Sequence, residues 1–437
     1  MFDYHLRLAW LGMRRNPAIT ALMIAAVAVG IAVTTTSLTV YHLMSSNPIA
    51  HRDEVLHAVT MDSWDPREAA DDRRPDLPPS QLTHRDAMAV LASDIPSRTV
   101  VMRKTAFTIE ASRDVAPWVA EGRLTTGDFF AAFDVPFRYG GAWDAQADRD
   151  GAPVVVLTKA TNDKAFGGAD SVGRTIRLDS REYRVVGVLA DWQPTPKFYD
   201  LNNGAFDDVE EVFIPFARGA MFEMQPAGNV NCWKPEDLKG FTDFLGSECI
   251  WTQAWVELRS PEQVQRFRQF LDGYVAQQKA LGRFPRPMNN RLDRPSEWLA
   301  NAEVVTDDSR VLLGLSFAFL AVCVLNVVGL LLSKFLGAAP VNALRRALGA
   351  SRGELFRQHL VEVGAIGLAG GMLGLVLGWL ALKGVQRLYE NYDRLTQLDL
   401  PLAAAALGIS LLAGVLAGLY PAWRVCRVQP ATYLKTQ

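Results

Sequence analysis

The hydrophobic residues of this chain are concentrated in four long runs. They occupy residues 18–44, 311–333, 360–382 and 400–423. A helix needs about 20 residues to cross the hydrocarbon core of a bilayer, and every run is long enough. Three runs contain no Asp, Glu, Lys or Arg, and the other contains only Glu362, one turn inside its start, where a carboxylate can still reach the interface or the positive end of the helix dipole. The pattern predicts four transmembrane helices.

A cleaved signal peptide is the alternative for the first run, because Arg7, Arg14 and Arg15 precede it. The hydrophobic part of a signal peptide is about 7–15 residues long and ends at a small-x-small cleavage site. The run at 18–44 is longer and leads into Ser45-Ser46-Asn47-Pro48. A retained anchor is therefore favoured.

Lys and Arg are distributed unequally between the flanks of the four runs. Segments 1–17, 334–359 and 424–437 hold 11 of them, whereas the flanks 45–61, 294–310 and 383–399 hold 6. Cytoplasmic loops carry the excess of positive charge, so both termini are predicted to be cytoplasmic. This topology makes 1–17 a cytoplasmic interfacial helix, and Phe2, Leu6 and Trp10 lie on its apolar face. The large segment 45–310 becomes an extracytoplasmic domain and 383–399 a short outer loop. The cytoplasmic side receives the loop 334–359 and the tail 424–437.

Within 45–310 the pattern changes to short alternating segments. It predicts a mobile, polar, Pro-rich segment at 62–86, strands at 99–101, 107–110, 154–157, 175–178 and 183–189, and helices at 83–92, 126–133, 159–166 and 261–281. The predicted fold class is a membrane protein with four transmembrane α-helices and a large α+β extracytoplasmic domain inserted between helices 1 and 2.

Composition narrows the choice of function. A net charge of −2 gives no basic excess for binding nucleic acid. Cys232 and Cys249 fall in the extracytoplasmic domain, where disulfides persist, so a bridge is predicted, with two buried free thiols as the alternative. A G-x-x-x-x-G-K-[ST] phosphate loop and hydrolase or metal motifs are not found in the sequence. The prediction is a chain without catalytic residues, metal or cofactor, in which His51 and His57 are solvated and the acidic run 207–211 is a solvated loop.

Four stretches of sequence carry a family resemblance. EGRLTTGDFFAAFDVPFRYGGAW at 121–143, followed by APVVVLTKATNDKAFGGADSVGRTIRLDSREYRVVGVLADW at 152–192, resembles the periplasmic core domain of MacB-type ABC transporter permeases. ALRRALGASRGELFRQHLVEVGAIGLAGGMLGL at 343–375 is similar to the FtsX-like permease segment. The N-terminal stretch 6–33 resembles the family's entry helix and first span.

The resemblance implies a permease subunit of a MacB-like (type VII) ABC transporter in the bacterial inner membrane. Its implied partners are two copies of a stand-alone ATPase that holds ATP and Mg²⁺, a second permease copy or paralogue, a periplasmic adaptor and an outer-membrane channel. In this interpretation ATP hydrolysis changes the shape of the periplasmic domain, and the expected role is efflux or export with the periplasmic adaptor. Lipoprotein release and control of a cell-wall hydrolase are the alternatives within the same superfamily. A membrane-anchored periplasmic sensor or scaffold without ATP coupling is the alternative from a different class.

The resemblance also places a coupling helix, the element that contacts the ATPase, in the loop between spans two and three. The physical pattern there is a short helix with two adjacent cations, a break, and a second helix that a serine can cap; an ordinary positive-inside loop is the alternative. The family often has an acidic residue shortly before the Arg pair, whereas this sequence has Pro340-Val341-Asn342. The candidate coupling residues are Leu344, Arg345, Arg346, Ala347, Leu348, Gly349, Ala350 and Ser351.

Small residues recur every four positions in the third and fourth spans. They are Gly370, Gly374 and Gly378 in the third span, and Gly414 and Gly418 in the fourth. This spacing places them on one helix face, where another helix can approach closely. The partner helix belongs either to the same chain or to a second copy.

Overall fold

The computed structural model describes residues 2–111, 115–388 and 400–427. The chain divides into two compact units. Ser46–Val304 forms one, called here the sheet unit, and Met1–Ser45 with Val305–Gln437 forms the other, called the helical unit. Most of the predicted outer loop 383–399, most of the tail 424–437 and the side chains of Phe2 and Leu6 lie outside the described residues.

The helical unit begins with two consecutive helices, α1 (Phe2–Arg15) and α2 (Pro17–Ser45). Asn16 separates them, and Pro17 occupies the start of α2, a position where its missing N–H costs nothing. The Thr20 hydroxyl donates to the carbonyl of Met13 at 3.2 Å across this bend. The bend therefore fixes the direction in which α2 leaves α1.

The sheet unit contains mixed strands and short helices. Its strands are β1 (Leu56–Thr60), β2 (Leu82–Thr83), β3 (Arg98–Glu110), β4 (Trp118–Thr125), β5 (Phe137–Gly140), β6 (Val154–Leu157), β7 (Thr175–Leu178), β8 (Arg181–Leu189), β9 (Val212–Pro215), β10 (Ile250–Glu257) and β11 (Arg291–Asp293). Its helices are α3 (His84–Leu91), α4 (Asp128–Ala132), α5 (Ala145–Asp150), α6 (Lys159–Phe166), α7 (Arg218–Met221), α8 (Phe241–Gly246), α9 (Pro261–Ala280) and α10 (Pro295–Asn301).

The strands form one mixed sheet in the order β11-β1-β10-β3-β4-β9-β6-β8-β5, with β2 paired to β10 and β7 paired to β3 and β8. The pairs β4–β9 and β6–β8 are parallel, and the other pairs are antiparallel. Side chains alternate between the two faces of a strand, and both faces of this sheet are covered. Val101 belongs to one buried cluster, whereas its neighbours Val100 and Met102 belong to another that contains the rings of Phe129 and Trp255.

Several predicted elements are present with small shifts. The strands predicted at 154–157 and 175–178 and the helix at 159–166 have the predicted bounds. Those predicted at 99–101 and 107–110 are parts of the single strand β3. Helices α3, α6 and α9 begin after Thr83, Thr158 and Ser260, whose side chains accept a backbone N–H three residues ahead, as N-cap residues do.

The prediction of a mobile segment at 62–86 is wrong at both of its ends. Asp62 is buried and pairs with Arg286, at 3.0 Å between Oδ2 and Nε. The same guanidinium donates to the carbonyls of Asp65 and Glu68. Thr83 and Asp86 at the other end are also buried. Partners more than 200 positions away hold this polar segment, and local composition does not reveal them.

The predicted disulfide is confirmed: Cys232 and Cys249 are bonded to each other. The loop that it closes contains α8 and reaches the start of β10. A cross-link over a loop of this size stabilises the folded state by about 3 kcal/mol in the chain-entropy description.

The helical unit continues with α11 (Asp307–Gly337), α12 (Ala339–Ala347), α13 (Arg352–Leu388) and α14 (Leu400–Cys426). Helices α2, α11, α13 and α14 are long and apolar enough to cross a membrane, which confirms the prediction of four apolar helices. They pack around a core that includes Val27, Leu331, Val363 and Ile366. Large apolar side chains such as Leu315 and Leu325 remain exposed on their outer faces, as lipid-facing residues are.

Candidate functional site

The candidate coupling segment forms a helix, a break and a second helix. Helix α12 begins with Ala339 and Pro340 and ends at Ala347, with Leu348 as its C-cap. Gly349 then adopts φ +102°, a left-handed conformation that glycine accepts without strain. The Ser351 hydroxyl accepts the backbone N–H of Glu354 at 3.2 Å, and the Glu354 carboxylate accepts the N–H of Ser351 at 3.0 Å. This capping box starts α13 directly after the break.

One edge of α12 is exposed and apolar. Leu344 is 53% exposed and Leu348 is 80% exposed, and they lie one turn apart. Arg345 and Arg346 lie between them and are half-buried, whereas Asn342 and Ala343 on the opposite side are buried. An exposed leucine pair beside two cations is suited to insertion into a groove of another protein.

The buried side of α12 is attached to the beginning of α13. The Asn342 amide nitrogen lies 3.2 Å from Nε2 of His359. Arg345 donates from Nη1 to Oε1 of Gln358 at 3.1 Å. The His359 ring also packs on Phe335 at the end of α11, with 4.1 Å between ring centroids. Helix α12 is therefore joined directly to α13 and, through the His359 ring, indirectly to the end of α11.

An ion pair lies next to this contact. Nζ of Lys334 is 2.7 Å from Oε1 of Glu362, and both side chains are buried. Lys334 also donates to the Thr20 hydroxyl at 3.1 Å, and Nδ1 of His359 lies 3.7 Å from Oε2 of Glu362. A Cβ atom added at Gly12 would come within 2.9 Å of the same carboxylate. Helices α1, α2, α11 and α13 therefore meet at this pair.

Sequence reasoning missed this pair. It placed Glu362 at the interface or at the helix dipole and counted Lys334 only as a loop cation. The available signal was a base, Lys334, directly after the second run and an acid, Glu362, just inside the start of the third, which a four-span topology places at the same end of the helices. Such charges within membrane segments usually face protein and pair with one another.

The glycines of the third span contact the first span of the same chain. A Cβ atom at Gly370 would lie 2.7 Å from Cβ of Val27, and one at Gly374 would lie 2.8 Å from the carbonyl oxygen of Ala28. Gly378 is less tightly packed, with 3.6 Å to the nearest atoms. In the fourth span, a Cβ atom at Gly414 would lie 3.0 Å from Cα of Gly367, and one at Gly418 would lie 2.7 Å from the side chain of Val363. These residues allow close approach of α13 to α2 and α14 within the chain.

The sheet unit contains a fully buried charge cluster. Arg123 donates to the carboxylates of Asp200 and Glu210, and Lys197 lies 3.3 Å from Glu210. The Tyr199 hydroxyl donates to Glu210 at 3.1 Å. Burial alone would raise the pKa of the Glu210 carboxyl, but Arg123 and Lys197 hold it well below its usual range. The prediction that 207–211 is a solvated loop is therefore wrong for Glu210, which has a structural role.

The histidines of the sheet unit differ from the solvated pair that was predicted. His51 is exposed and contacts Asp134 at 2.8 Å, but His57 is buried, and burial lowers its pKa. His84 lies between the rings of Phe216 and Trp251, and burial lowers its pKa to about 4. Within the described ranges, no group of three or more His, Cys, Asp and Glu side chains is arranged to hold a metal ion.

His84 lines a cavity in the sheet unit. This cavity has a volume of about 740 Å³. Its walls are mainly apolar and include Met88, Phe216 and Met221, with the carboxyl of Asp148 at one side. Burial raises the pKa of Asp148 to about 6, although it accepts hydrogen bonds from Gly127 N–H and from the Trp143 indole.

Comparison with known proteins identifies the class of protein. Residues 20–273 match the MacB-like periplasmic core domain, and residues 313–430 match the FtsX-like permease C-terminal domain. Together these models cover most of the chain. The first spans α2 and most of the sheet unit, and the second spans the three later membrane-length helices. The chain belongs to the MacB/FtsX-like family of ABC transporter permeases.

Individual relatives are distant. The macrolide export ATP-binding/permease protein MacB of Syntrophobacter fumaroxidans is 21% identical over 387 residues, which are 81% of this chain and 52% of that protein. The pyoverdine export ATP-binding/permease protein PvdT of Pseudomonas syringae is 23% identical over 312 residues, 71% of this chain and 42% of that protein. The chain spans about half the length of these curated relatives. The crystal structure of the periplasmic region of MacB from Actinobacillus actinomycetemcomitans aligns with 60% of this chain and 100% of that chain, at 11% identity and a TM-score of 0.37.

Proposed function

We propose that this chain is the permease subunit of a MacB-like ABC exporter. A separate ATPase subunit, present in two copies and holding ATP and Mg²⁺, hydrolyses ATP, and this chain converts the movement into a change of its periplasmic domain. The observation that carries the proposal is the arrangement of α12, which exposes Leu344 and Leu348 on one side and is joined to the beginning of α13 by the polar contacts of Asn342 and Arg345 on the other.

The proposed path of force begins at the exposed edge of α12. Movement of this helix acts through Asn342 and Arg345 on the first turns of α13. The Lys334–Glu362 pair carries it to α11 and, through Thr20, to α2. Because α2 and α11 are the helices whose chain continues directly into the sheet unit, their tilting reaches that unit through covalent connections.

The proposed location is the bacterial inner membrane, with both termini cytoplasmic and the sheet unit in the periplasm. The asymmetry of Lys and Arg supports this orientation. A second permease copy or paralogue, a periplasmic adaptor and an outer-membrane channel complete the proposed assembly. The names of the relatives, which export macrolides and pyoverdine, favour export over lipoprotein release or control of a cell-wall hydrolase.

The test replaces the two exposed apolar side chains of α12 with charged ones. Leu344→Glu with Leu348→Glu removes two exposed leucines without touching the buried contacts of the helix. When the full chain is co-expressed with the ABC ATPase proposed as its partner, the purified double variant is expected to carry at least tenfold less bound ATPase than the wild type. Leu281→Glu is the matched control, since Leu281 is 72% exposed but lies in the sheet unit. Equal retention of ATPase by the double variant and the control would refute the proposal.

A sensor or scaffold without ATP coupling is the second candidate, and the cavity beside His84 and Met88 favours it. Such a protein binds its ligand in the sheet unit and does not need α12. It would keep full biological activity in the Leu344→Glu/Leu348→Glu variant and lose it when Met88→Arg fills the cavity. The exporter predicts loss of activity in the α12 variant.

A further inference from the structure

A small cavity lies in the helical unit, at the end where α12 is found. Its volume is about 190 Å³. Four helices form its walls: α1, the end of α11, α12 and the beginning of α13. None of the contacts used in the proposed path of force requires an open space here, so the cavity needs a separate explanation.

The cavity has an excess of positive charge. Its charged lining consists of Arg15, Lys334 and Arg345 against the single carboxylate of Glu362. Lys334 is neutralised by Glu362. Arg345 donates to the neutral amide of Gln358, and neither it nor Arg15 forms an ion pair with any residue that the structure describes. Two guanidinium groups therefore line this space without a carboxylate partner among the described side chains.

Polar groups that can bind an oxyanion complete the lining. Asn16, Asn342 and Gln358 contribute amides. Nδ1 of His359, a buried side chain that lines the cavity, forms no hydrogen bond with a described residue, and its nearest acidic neighbour is Oε2 of Glu362 at 3.7 Å. Guanidinium and amide donors that converge from several helices are the groups that bind phosphate oxygens, and arginine does so in a bidentate manner.

The rest of the wall is apolar. Leu8 and Leu11 of α1, Phe335 of α11 and Val341 of α12 line the same space. Leu11 is 61% exposed and Trp10 beside it is 58% exposed, so the rim on the α1 side resembles a helix that lies along a membrane surface. A ligand that fits both parts of this wall carries a phosphate and a hydrocarbon portion.

We propose that this cavity binds the headgroup of an anionic phospholipid. Basic pockets between transmembrane helices on the cytoplasmic side bind such headgroups, and the cavity lies at the end of the spans that carries the excess of Lys and Arg. The phosphate contacts Arg15 and Arg345, and the acyl chains leave past Leu8 and Leu11. The bound lipid thereby joins α1 to α12 and holds α12 against α13. This site does not depend on the identity of the ATPase.

The experiment uses the purified, delipidated full chain in detergent and counts bound lipid by native mass spectrometry. Phosphatidylglycerol is titrated against phosphatidylcholine. Arg15→Gln with Arg345→Gln is expected to weaken phosphatidylglycerol binding by roughly 30-fold, equivalent to about 2 kcal/mol. Arg14→Gln with Arg352→Gln is the matched control: it removes the same charge from two exposed arginines that do not line the cavity and is expected to change binding less than threefold.

Two further arms keep the test decisive. Arg15→Lys with Arg345→Lys is expected to restore part of the binding, and thermal unfolding of every variant shows whether it is folded. Equal losses in the cavity and control variants would indicate diffuse surface charge and overturn the proposal. Displacement of phosphatidylglycerol by millimolar inorganic phosphate would assign the site to a soluble phosphate and overturn the lipid assignment. Binding that phosphate does not displace and that only the cavity variants lose supports the proposal.

Discussion

Nζ of Lys334 lies 2.7 Å from Oε1 of Glu362, and neither side chain has as much as a tenth of its surface exposed. The two residues belong to successive spans, α11 and α13. A buried charge is costly unless it is paired. Each residue therefore depends on the other, and the pair fixes how two spans meet at the end of the helical unit where α12 lies.

Removing one member of this pair is expected to destabilise the protein strongly. Glu362→Ala or Lys334→Met leaves a buried charge unpaired and should lower the free energy of unfolding by about 3–5 kcal/mol. The double variant leaves no charge and should be more stable than either single variant. Thermal unfolding of the full chain in detergent, analysed as a double-mutant cycle, measures this coupling.

Asp308→Ala is the control for loss of an acid, since Asp308 is exposed in the first turn of α11. It should cost no more than about 1 kcal/mol. Strictly additive effects of the two pair variants would mean that Lys334 and Glu362 do not interact.

The glycines of α13 should differ in their tolerance of a methyl group. Gly370→Ala and Gly374→Ala place Cβ within 2.7 Å of Val27 and 2.8 Å of the Ala28 carbonyl, and overpacking of this kind costs about 1–3 kcal/mol. Gly384→Ala, in the same helix, meets nothing within 4 Å and should be neutral or slightly stabilising, because alanine is the better helix former. The measurement is the thermal midpoint of each purified variant. If all three variants behaved alike, the close contact of α13 with α2 would be disproved.

The stability that His84 contributes to the sheet unit should fall as the pH is lowered from about 6.5 to 4. Burial between Phe216 and Trp251 lowers the pKa of His84 to about 4, whereas a histidine in the unfolded chain has a pKa of about 6.5. Between these values the unfolded state binds more protons, so stability increases with pH over this range. From pH 7 to pH 5 the loss from His84 amounts to about 2 kcal/mol.

His84→Phe keeps an aromatic ring in the stack and removes the proton. Compared with wild type, the fall in its free energy of unfolding between pH 7 and pH 5 should be smaller by about the amount given above, and the opposite contribution of Asp148 is common to both proteins. His51→Gln is the control, because that side chain is exposed. An unchanged pH profile in His84→Phe would show that the ring of His84 is not held in its neutral form.

Glu210 should be essential to the sheet unit although it lies in a run of acidic residues. Glu210→Gln removes the carboxylate that pairs with Arg123 and Lys197, both of which are fully buried. The expected loss is about 3–5 kcal/mol, visible as earlier unfolding in urea and faster proteolysis. Glu182→Gln removes an exposed carboxylate from β8 and should have little effect. A Glu210 variant as stable as wild type would restore the interpretation of 207–211 as a solvated loop.

The four spans could be predicted because hydrophobicity over about 20 residues is a property of the local sequence. The strands were predicted less completely. Residues 99–101 and 107–110 appeared as separate strands because polar residues lie between them. In the structure, Arg103 donates to the carbonyl of Met224, and Lys104 pairs with Glu121. These partners allow β3 to continue through a polar stretch, and they are distant in sequence.

In the candidate site, too, local features could be predicted and long-range contacts could not. The break at Gly349 and the cap at Ser351 follow from neighbouring residues and could be predicted. Burial of Glu210 depends on Arg123, which is 87 positions away, and burial of Glu362 depends on Lys334 in another span. A single sequence shows both members of each pair, but it does not show that they contact each other.

The contact between Lys334 and Thr20 has a consequence for how the protein is made. The two residues are 314 positions apart in the chain. Ribosomes add about 5–20 residues per second, so roughly 15–60 s separate their synthesis. During that time α2 has already been synthesised, whereas α11, α13 and α14 have not. The surface of α2 around Val27 and Ile31, which the glycines of α13 later cover, must therefore contact lipid or the insertion machinery until α13 is made. Helix α2 then exchanges these early contacts for its contacts with α13.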